Sequence, residues 1–454
     1  MQASPTATQP PSPANSEHKG EVIALPVTTR SSFTLEAGPE QTEFEVPDGG
    51  LQAWMTVAGA WLTLFSTFGR ICVHFWSLRR CNYYVRVYLT DHSASSIAWI
   101  GSFQLMMPFF CGPVSGKIFD NGGFHALEIV GGIIFTVSSF LLSLAKPNQY
   151  YQIFLAQGVG MGLGVGLIFL PSLSIVVHHF KRHRGLASGI IMSGTSVGAT
   201  LFPIMLNHLL PRVGFARAVR YSSAIIPPCL VIGNLMMRTR LPPRSKRGGN
   251  QSPPDIKSFF KDPPYLVGIL GMLLGLLGLF FPAIYIQLYG VQHDVDPTLS
   301  FYSLSVLNAA GAVVRVAGNH FADVYGPFNA MTMSSTISGA LIWALLGINS
   351  GGSLMVVSII YGASSSAWLA LTFPSFASLA KGPEEVGARL GIALSLTSLA
   401  VLGSSPLQGH LLTGEYHWIR PVAFSATMVF GSAICFMITR TLYLRTRKVN
   451  GWRA

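Results

Sequence analysis

Charge is what this chain has least of. Only 11% of its 454 residues are Asp, Glu, Lys or Arg, against about 25% in an ordinary soluble domain. A large water-exposed surface is thereby excluded. Cysteine is also scarce: Cys72, Cys81, Cys111, Cys229 and Cys435 are scattered, odd in number and without a CxxC pair. They offer neither a disulfide framework nor a thiolate metal site, and read as packing residues. No acid pair, Ser/His/Asp set or metal-ligand cluster presents itself. His178, His179 and His183 stand beside a basic loop that repels cations. The chain is therefore read as no enzyme, with no metal and no cofactor. Gly158-x-Gly160 fails as a dinucleotide fingerprint, because Leu163 stands where the third glycine belongs and no strand precedes it. The helical series Gly158, Gly162 and Gly166 instead predicts a groove for a neighbouring helix.

What the chain has is hydrophobic length. Half of its residues are apolar, and they fall in runs of roughly 20, enough to cross a hydrocarbon core about 30 Å thick at about 1.5 Å per residue. Twelve spans are expected, at 54–78, 95–119, 126–145, 150–176, 185–208 and 217–237, then 265–290, 299–320, 328–348, 353–376, 387–412 and 420–442. Barrel strands would show short alternating segments instead. The fold class is thus all-α integral membrane.

Residues 1–48 are rich in Pro, Ser, Thr and Glu and bury too little apolar surface to fold, so they read as a disordered cytoplasmic tail. Residues 1–48 lack the apolar core of a cleavable signal peptide, so the first span is expected to act as the insertion signal. Two six-helix halves, 49–237 and 265–443, flank a linker at 238–264, and 444–454 forms a second tail. Most of the 30 Lys and Arg residues fall in loops on one side when both ends are placed in the cytoplasm, including Arg238, Arg240, Arg244, Lys246, Arg247, Lys257 and Lys261 of the linker. The net charge of +12 is explained by anionic lipid without any nucleic acid.

Two loop motifs repeat at matching places. Gly112-Pro113-x-x-Gly116-Lys117-x-x-Asp120-x-Gly122-Gly123 lies between spans two and three, and Arg315-x-x-Gly318-x-x-x-x-Asp323-x-x-Gly326-Pro327 between spans eight and nine. Their glycines permit close helix approach, while Asp120 and Asp323 can latch helix ends. The first copy has Asn121 and Phe124-His125 where bases are usual, which weakens the latch. Recurrence in both halves points to an internal repeat.

Two further signatures carry a resemblance. Pro47-Asp48-Gly49-Gly50-Leu51-Gln52-Ala53-Trp54 opens span one, and Phe180-Lys181-Arg182-His183-Arg184-Gly185-Leu186-Ala187-Ser188-Gly189 opens span five. With Gly387-Ala388-Arg389-Leu390-Gly391 opening span eleven, the chain resembles the fungal form of the monocarboxylate-transporter-like (monocarboxylate porter) branch of the major facilitator superfamily. The resemblance runs from Pro47 to about Leu444. It implies a secondary transporter that moves a small organic solute by alternating access, in many members with a proton. Fungal members include uptake carriers for metabolites and exporters attached to secondary-metabolite pathways, and the resemblance does not specify a carboxylate. A plasma-membrane location is expected, with the vacuolar membrane as the alternative. Other readings are a non-transporting nutrient sensor and a proton-driven drug exporter; the latter lacks its Gly-Pro motif, since no proline follows Gly198.

Asp48 before Gly49 and Gly50 suits the positive end of a helix, and Lys181, Arg182 and Arg184 anchor a cytoplasmic loop. Together with Gly116, Asp120, Asp323 and Arg389 these are the gate candidates. A charge inside a span is costly and tends to face a cavity, which singles out Arg315. Asn308 lies two turns before it on the same face. The resemblance implies an arginine here that serves substrate or proton coupling, but its acid one turn earlier is replaced by Gly311. A capping role for Arg315 beside Asp323 is the alternative. Tyr285, Tyr289 and Asn207 are further cavity candidates, each also compatible with interfacial packing.

The stretch 70–82 runs against everything around it. Arg70 and His74 fall in span one, and Arg79 and Arg80 just outside oppose the expected orientation. Phe75-Trp76-Ser77-Leu78-Arg79-Arg80-Cys81 admits codons that, shifted by one base, read Phe-Gly-Val-Tyr-Ala-Asp, close to what relatives carry. The stretch reads as out of frame, or as a variant whose arginines snorkel to the interface.

Overall fold

The computed structural model describes residues 48–71, 89, 91–92, 94–180, 183–240, 256–381, 385–412 and 416–447, excepting the side chains of 94, 95, 323 and 447. Among them ten helical runs are long and apolar enough to cross a membrane. One, Arg184–Met236, contains Gly214 at φ 74° and ψ 173°, a conformation that only glycine adopts at no steric cost. The chain reverses there. On its near side Gly194 faces Trp61 and Gly198 faces Phe65 and Gly69, so it runs parallel to the first helix. On its far side Ser223 meets Arg70, Gly233 meets Gly59, and the Arg238 amide donates to Thr56, so it runs antiparallel. The expected gap from 208 to 217 thus narrows to a single residue.

With the shorter first helix, twelve segments result. They are α1 (Leu51–Ser66, resuming after Thr67 to Ile71), α2 (Ala94–Phe110, continued by Gly112–Asp120), α3 (Phe124–Leu142), α4 (Tyr150–His178), α5 (184–213) and α6 (215–236). The second half comprises α7 (Pro263–Gln292), α8 (Pro297–Tyr325), α9 (Pro327–Ala344), α10 (Gly351–Ser378), α11 (Val386–Leu412) and α12 (Ile419–Arg447). Most of the proposed out-of-frame stretch lies outside the described residues. Arg70 is fully buried, donating to Ser223 at 3.1 Å with its guanidinium 5.8 Å from the Phe202 ring.

Local chemistry sets the helix ends. Asp296 Oδ1 accepts from the amides of Thr298 and Leu299 at 2.8 and 3.0 Å, with Pro297 at the first helical position of α8. Ser350 and Ser353 form a capping box at α10. Gly49 and Gly50, at φ 137° and 104°, turn the chain into α1.

Inside lipid there is little hydrophobic gain from pressing helices together, so close contact rests on small residues and dispersion. The stripe of α4 behaves accordingly. A Cβ on Gly158, Gly162 or Gly166 would meet Ile100, Met107 or Cys111 of α2. Gly198 is tighter still, since a Cβ there would lie 2.4 Å from the Phe65 carbonyl oxygen. The starts of α1 and α5 meet through Trp54 and Phe180 beside Arg238, those of α7 and α11 meet through Asp262 and Arg389, and α11 meets the end of α2 at Pro113 and Asp120; this face of the bundle is here called the linker face.

Candidate functional site

A small cavity lies at the seam of the two sets of helices. Phe68, Phe109, Phe169 and Met192 line it from α1, α2, α4 and α5; Met272, Arg315, Trp368, Leu369, Thr372 and Phe373 line it from α7, α8 and α10. At about 1.5 Å per residue, Phe109, Phe169, Met192, Met272, Arg315 and Trp368 stand about 12–17 Å from the linker-face ends of their helices, half-way across. Phe169 links the rings, stacked on Phe68 at 5.0 Å, tilted to Phe109 at 6.3 Å and edge-on to Phe373 at 5.9 Å. The cavity measures about 20 Å³, room for one water.

Arg315 is the one charged residue in that lining. It is buried, and Nη1 donates to the Met192 carbonyl at 3.1 Å and to the Thr195 hydroxyl, both on α5. Its own carbonyl accepts from Asn319 at 3.1 Å. Arg315 therefore faces the cavity while tying the second half to the first.

More of the linker face is closed between the halves. A Cβ on Gly189 would lie 2.5 Å from the Arg315 carbonyl oxygen, so α5 and α8 touch through their backbones. Gly391 of α11 packs on Pro113 of α2, where its Cβ would lie 3.2 Å from the proline Cα. Asp120 reaches the start of α11, its Oδ2 being 3.5 Å from where a Gly387 Cβ would be. There it adds negative charge to a positive helix end. Gly116 faces Leu170 within the first half.

Arg389 does something different. It is fully buried, Nη1 bound to Asp262 at 2.6 Å and Nε to Glu385 at 2.9 Å, with its guanidinium 4.6 Å from the Phe259 ring and 5.2 Å from the Tyr265 ring. Tyr265 also donates to the Arg389 carbonyl at 2.7 Å. All these partners belong to the second half and the end of the linker, so Arg389 fastens α7, α11 and the linker together. Its counterpart is Arg184, exposed, donating to the Phe180 carbonyl at 2.7 Å and within electrostatic reach of Asp48. The two signatures, far apart in the chain, thus meet at one corner, where Trp54 also packs edge-on to Phe180 at 5.2 Å.

The remaining candidates lie away from the cavity in this conformation. Asn308 donates to the Leu304 carbonyl of its own helix at 3.0 Å. Tyr289 stacks on His293 at 3.9 Å and meets Trp418 edge-on at 4.9 Å, toward the opposite face. Tyr285 packs against Phe281 and Trp418. Asn207 is half-buried on α5 beyond the Gly198 contact. Lys181, Arg182 and the Asp323 side chain lie outside the described residues. Sequence reasoning missed Phe68, Phe109, Phe169, Met192 and Met272. The available signal was position half-way along an inner helix, but which face turns inward is decided by neighbours.

A bundle of membrane-crossing helices, with a polar anchor buried at mid-depth and one face shut by contacts between its halves, is the architecture of a carrier. The family model described as Major Facilitator Superfamily matches residues 50–402, and the chain belongs to that superfamily. It is 33% identical over 404 residues to "MFS-type transporter 1" of an Ophiocordyceps species, covering 87% of each chain. It is also 33% identical over 400 residues to "Aspyridones efflux protein apdF" of Emericella nidulans, covering 88% of this chain and 79% of the relative. In fold it is similar to the human organic anion transporter MFSD10, with a TM-score of 0.61 at 15% identity, covering 87% of this chain and 100% of that one. The protein is a transporter moving a small organic solute across a membrane.

Proposed function

We propose that this transporter exports an amphiphilic organic acid, a fungal secondary metabolite with an acidic head and a flat apolar body, and that it belongs to the monocarboxylate-porter-like branch. The carrying observation is Arg315, the one charged residue in a cavity otherwise built of aromatic rings, thioethers, a leucine and a threonine. A guanidinium offers paired donors to a carboxylate or an acidic enol, and the rings offer faces to a planar body. The efflux name of the Emericella nidulans relative supports the direction.

Pockets that hold small organic molecules occupy about 300–1,000 Å³, far more than the cavity of about 20 Å³ here. The halves 49–237 and 265–443 must part to admit solute. The linker face is assigned to the cytoplasm, the plasma membrane is the site of action, and the tails 1–48 and 444–454 lie inside. Arg315 and Asn308 would then be drawn on by solute, with Asp120, Gly189 and Gly391 holding the closed gate. Solute that engages Arg315 competes with its bonds to Met192 and Thr195, which loosens α5 from α8.

The test is untargeted metabolite profiling of cells and medium in a deletion strain, the same strain carrying this chain, and one carrying Arg315→Gln at equal surface abundance. An acidic aromatic compound should build up inside the deletion strain and leave with this chain but not with the variant. A compound left unused in the medium instead would reverse the direction. Normal efflux by Arg315→Gln would remove Arg315 from the solute site.

A further inference from the structure

Of the 18 acidic residues, Glu128 is the one that stands a full turn inside a described membrane-crossing helix. It lies on α3, 4% exposed, and its polar partner is the Ser172 hydroxyl of α4, which donates to Oε1 at 2.7 Å. The other buried acid of the described chain, Asp262, is matched to Arg389.

The elements packed around α3 bring no base to Glu128 among the described residues. From Phe154 to Ser174 α4 has no titratable side chain, and His178 in its last turn lies against the Phe119 ring at 5.2 Å. The end of α2 carries Lys117 and Asp120, the latter directed at α11. His125 of α3 pairs with Asn234 at 2.8 Å. Arg184 of α5 is bound at Phe180, and its His208 and Arg212 lie toward the opposite face. From α6 come Arg217, Arg220, Tyr221 and Cys229, with Arg220 bound to Ser143 at the opposite face. A carboxylate with one hydroxyl partner in such surroundings is poorly compensated, whereas the protonated acid is neutral and can keep the same hydrogen bond.

Ser172 sits three residues from Phe169 of the cavity, with Pro171 between them. Proline removes an amide from the helix ladder and makes a soft point. The helix tightens to a 3₁₀ turn at Ile175–His178 just beyond. One turn of α4 therefore faces the solute cavity through Phe169 and Glu128 through Ser172.

We propose that Glu128 is a proton-binding site of this transporter, holding a proton on Oε2 while α3 and α4 pack as described and passing it to linker-face water when the Pro171 turn moves with Phe169. The proton leaves as hydronium, and the carboxylate left behind keeps the Ser172 bond. The inference rests on the transporter reading but not on the identity of the solute.

Two measurements on the full-length protein in lipid nanodiscs, made without solute, test it. Infrared spectra at neutral pH should show a protonated-carboxyl band that Glu128→Gln removes and Ser172→Ala shifts. In a cysteine-free background carrying Thr372→Cys, raising the pH above neutral should change the rate of maleimide labelling several-fold beyond the change shown by a free thiol in solution, and Glu128→Gln should abolish that excess response. Ser172→Ala guards against a Gln variant that fails to fold, since it keeps the acid and should shift the band without removing it. A spectrum unchanged by Glu128→Gln overturns the site. An excess labelling response that survives Glu128→Gln overturns its link to the conformational change, and neither outcome bears on the solute proposed for Arg315.

Discussion

Each half places a base at the start of its fifth helix and an acid before its first, yet the two corners differ in kind. Arg184 and Asp48 lie exposed at the surface, with the arginine spending one bond on the Phe180 carbonyl. Arg389 is sealed from solvent, held by two carboxylates and flanked by two rings. Exposed pairs contribute about 0–1 kcal/mol, whereas removing one partner of a buried pair costs about 3–5 kcal/mol. A repeated sequence device has become a buttress in one half and a loose contact in the other. The second half is thereby fastened to the end of the linker by a buried ion pair.

The comparison breaks most directly at Arg389. Arg389→Ala should cost about 3–5 kcal/mol, read as a lower detergent-unfolding midpoint and a smaller monodisperse fraction, because Asp262 is left buried without its cation. A variant as stable as the parent would mean that the corner is not a buttress. Next in size is Gly189→Ala, whose Cβ would lie 2.5 Å from the Arg315 carbonyl oxygen. Overpacking of that order costs the closed conformation about 1–3 kcal/mol, so cavity cysteines should label faster from the linker face. Gly318→Ala is its control on α8, with 3.6 Å to the nearest atom and no expected change.

Smaller again is Asp120→Asn. Removing the charge at the start of α11 should weaken closure by about 0.3–1 kcal/mol, and the loss should shrink in high salt. Arg184→Ala should be the mildest, changing the unfolding free energy by no more than about 1 kcal/mol. An effect as large as that of Arg389→Ala would erase the contrast between the corners.

Much of this was legible along the chain. Span length and charge placement point to an all-helical membrane protein, and the paired loop motifs point to its repeat. The Gly158, Gly162, Gly166 stripe announced a helix contact because i, i+4 spacing sets one face regardless of the partner. The cavity was less legible. Tyr285 and Tyr289 were expected there and Phe169 was not, because aromatic rings pack against helices and solutes by the same forces, and only the rotation of each helix separates them. Arg315 stood out because charge in hydrocarbon is rare; its clasp on Met192 and Thr195 could not be read, since they are more than a hundred positions away. Glu128 was passed over for a related reason: it sits one turn into α3, where a loop residue and a buried one look alike in sequence.

The sequence by itself determined what the chain can be: hydrophobic length, glycine spacing and the distribution of bases are local properties, and a bilayer acts on them one segment at a time. Only the tertiary structure decided what each charge does. Whether Arg184 or Arg389 is buried, which helix Arg315 grips and whether Glu128 meets a base depend on neighbours brought together across the fold, because burial and electrostatic energy belong to surroundings and not to a residue.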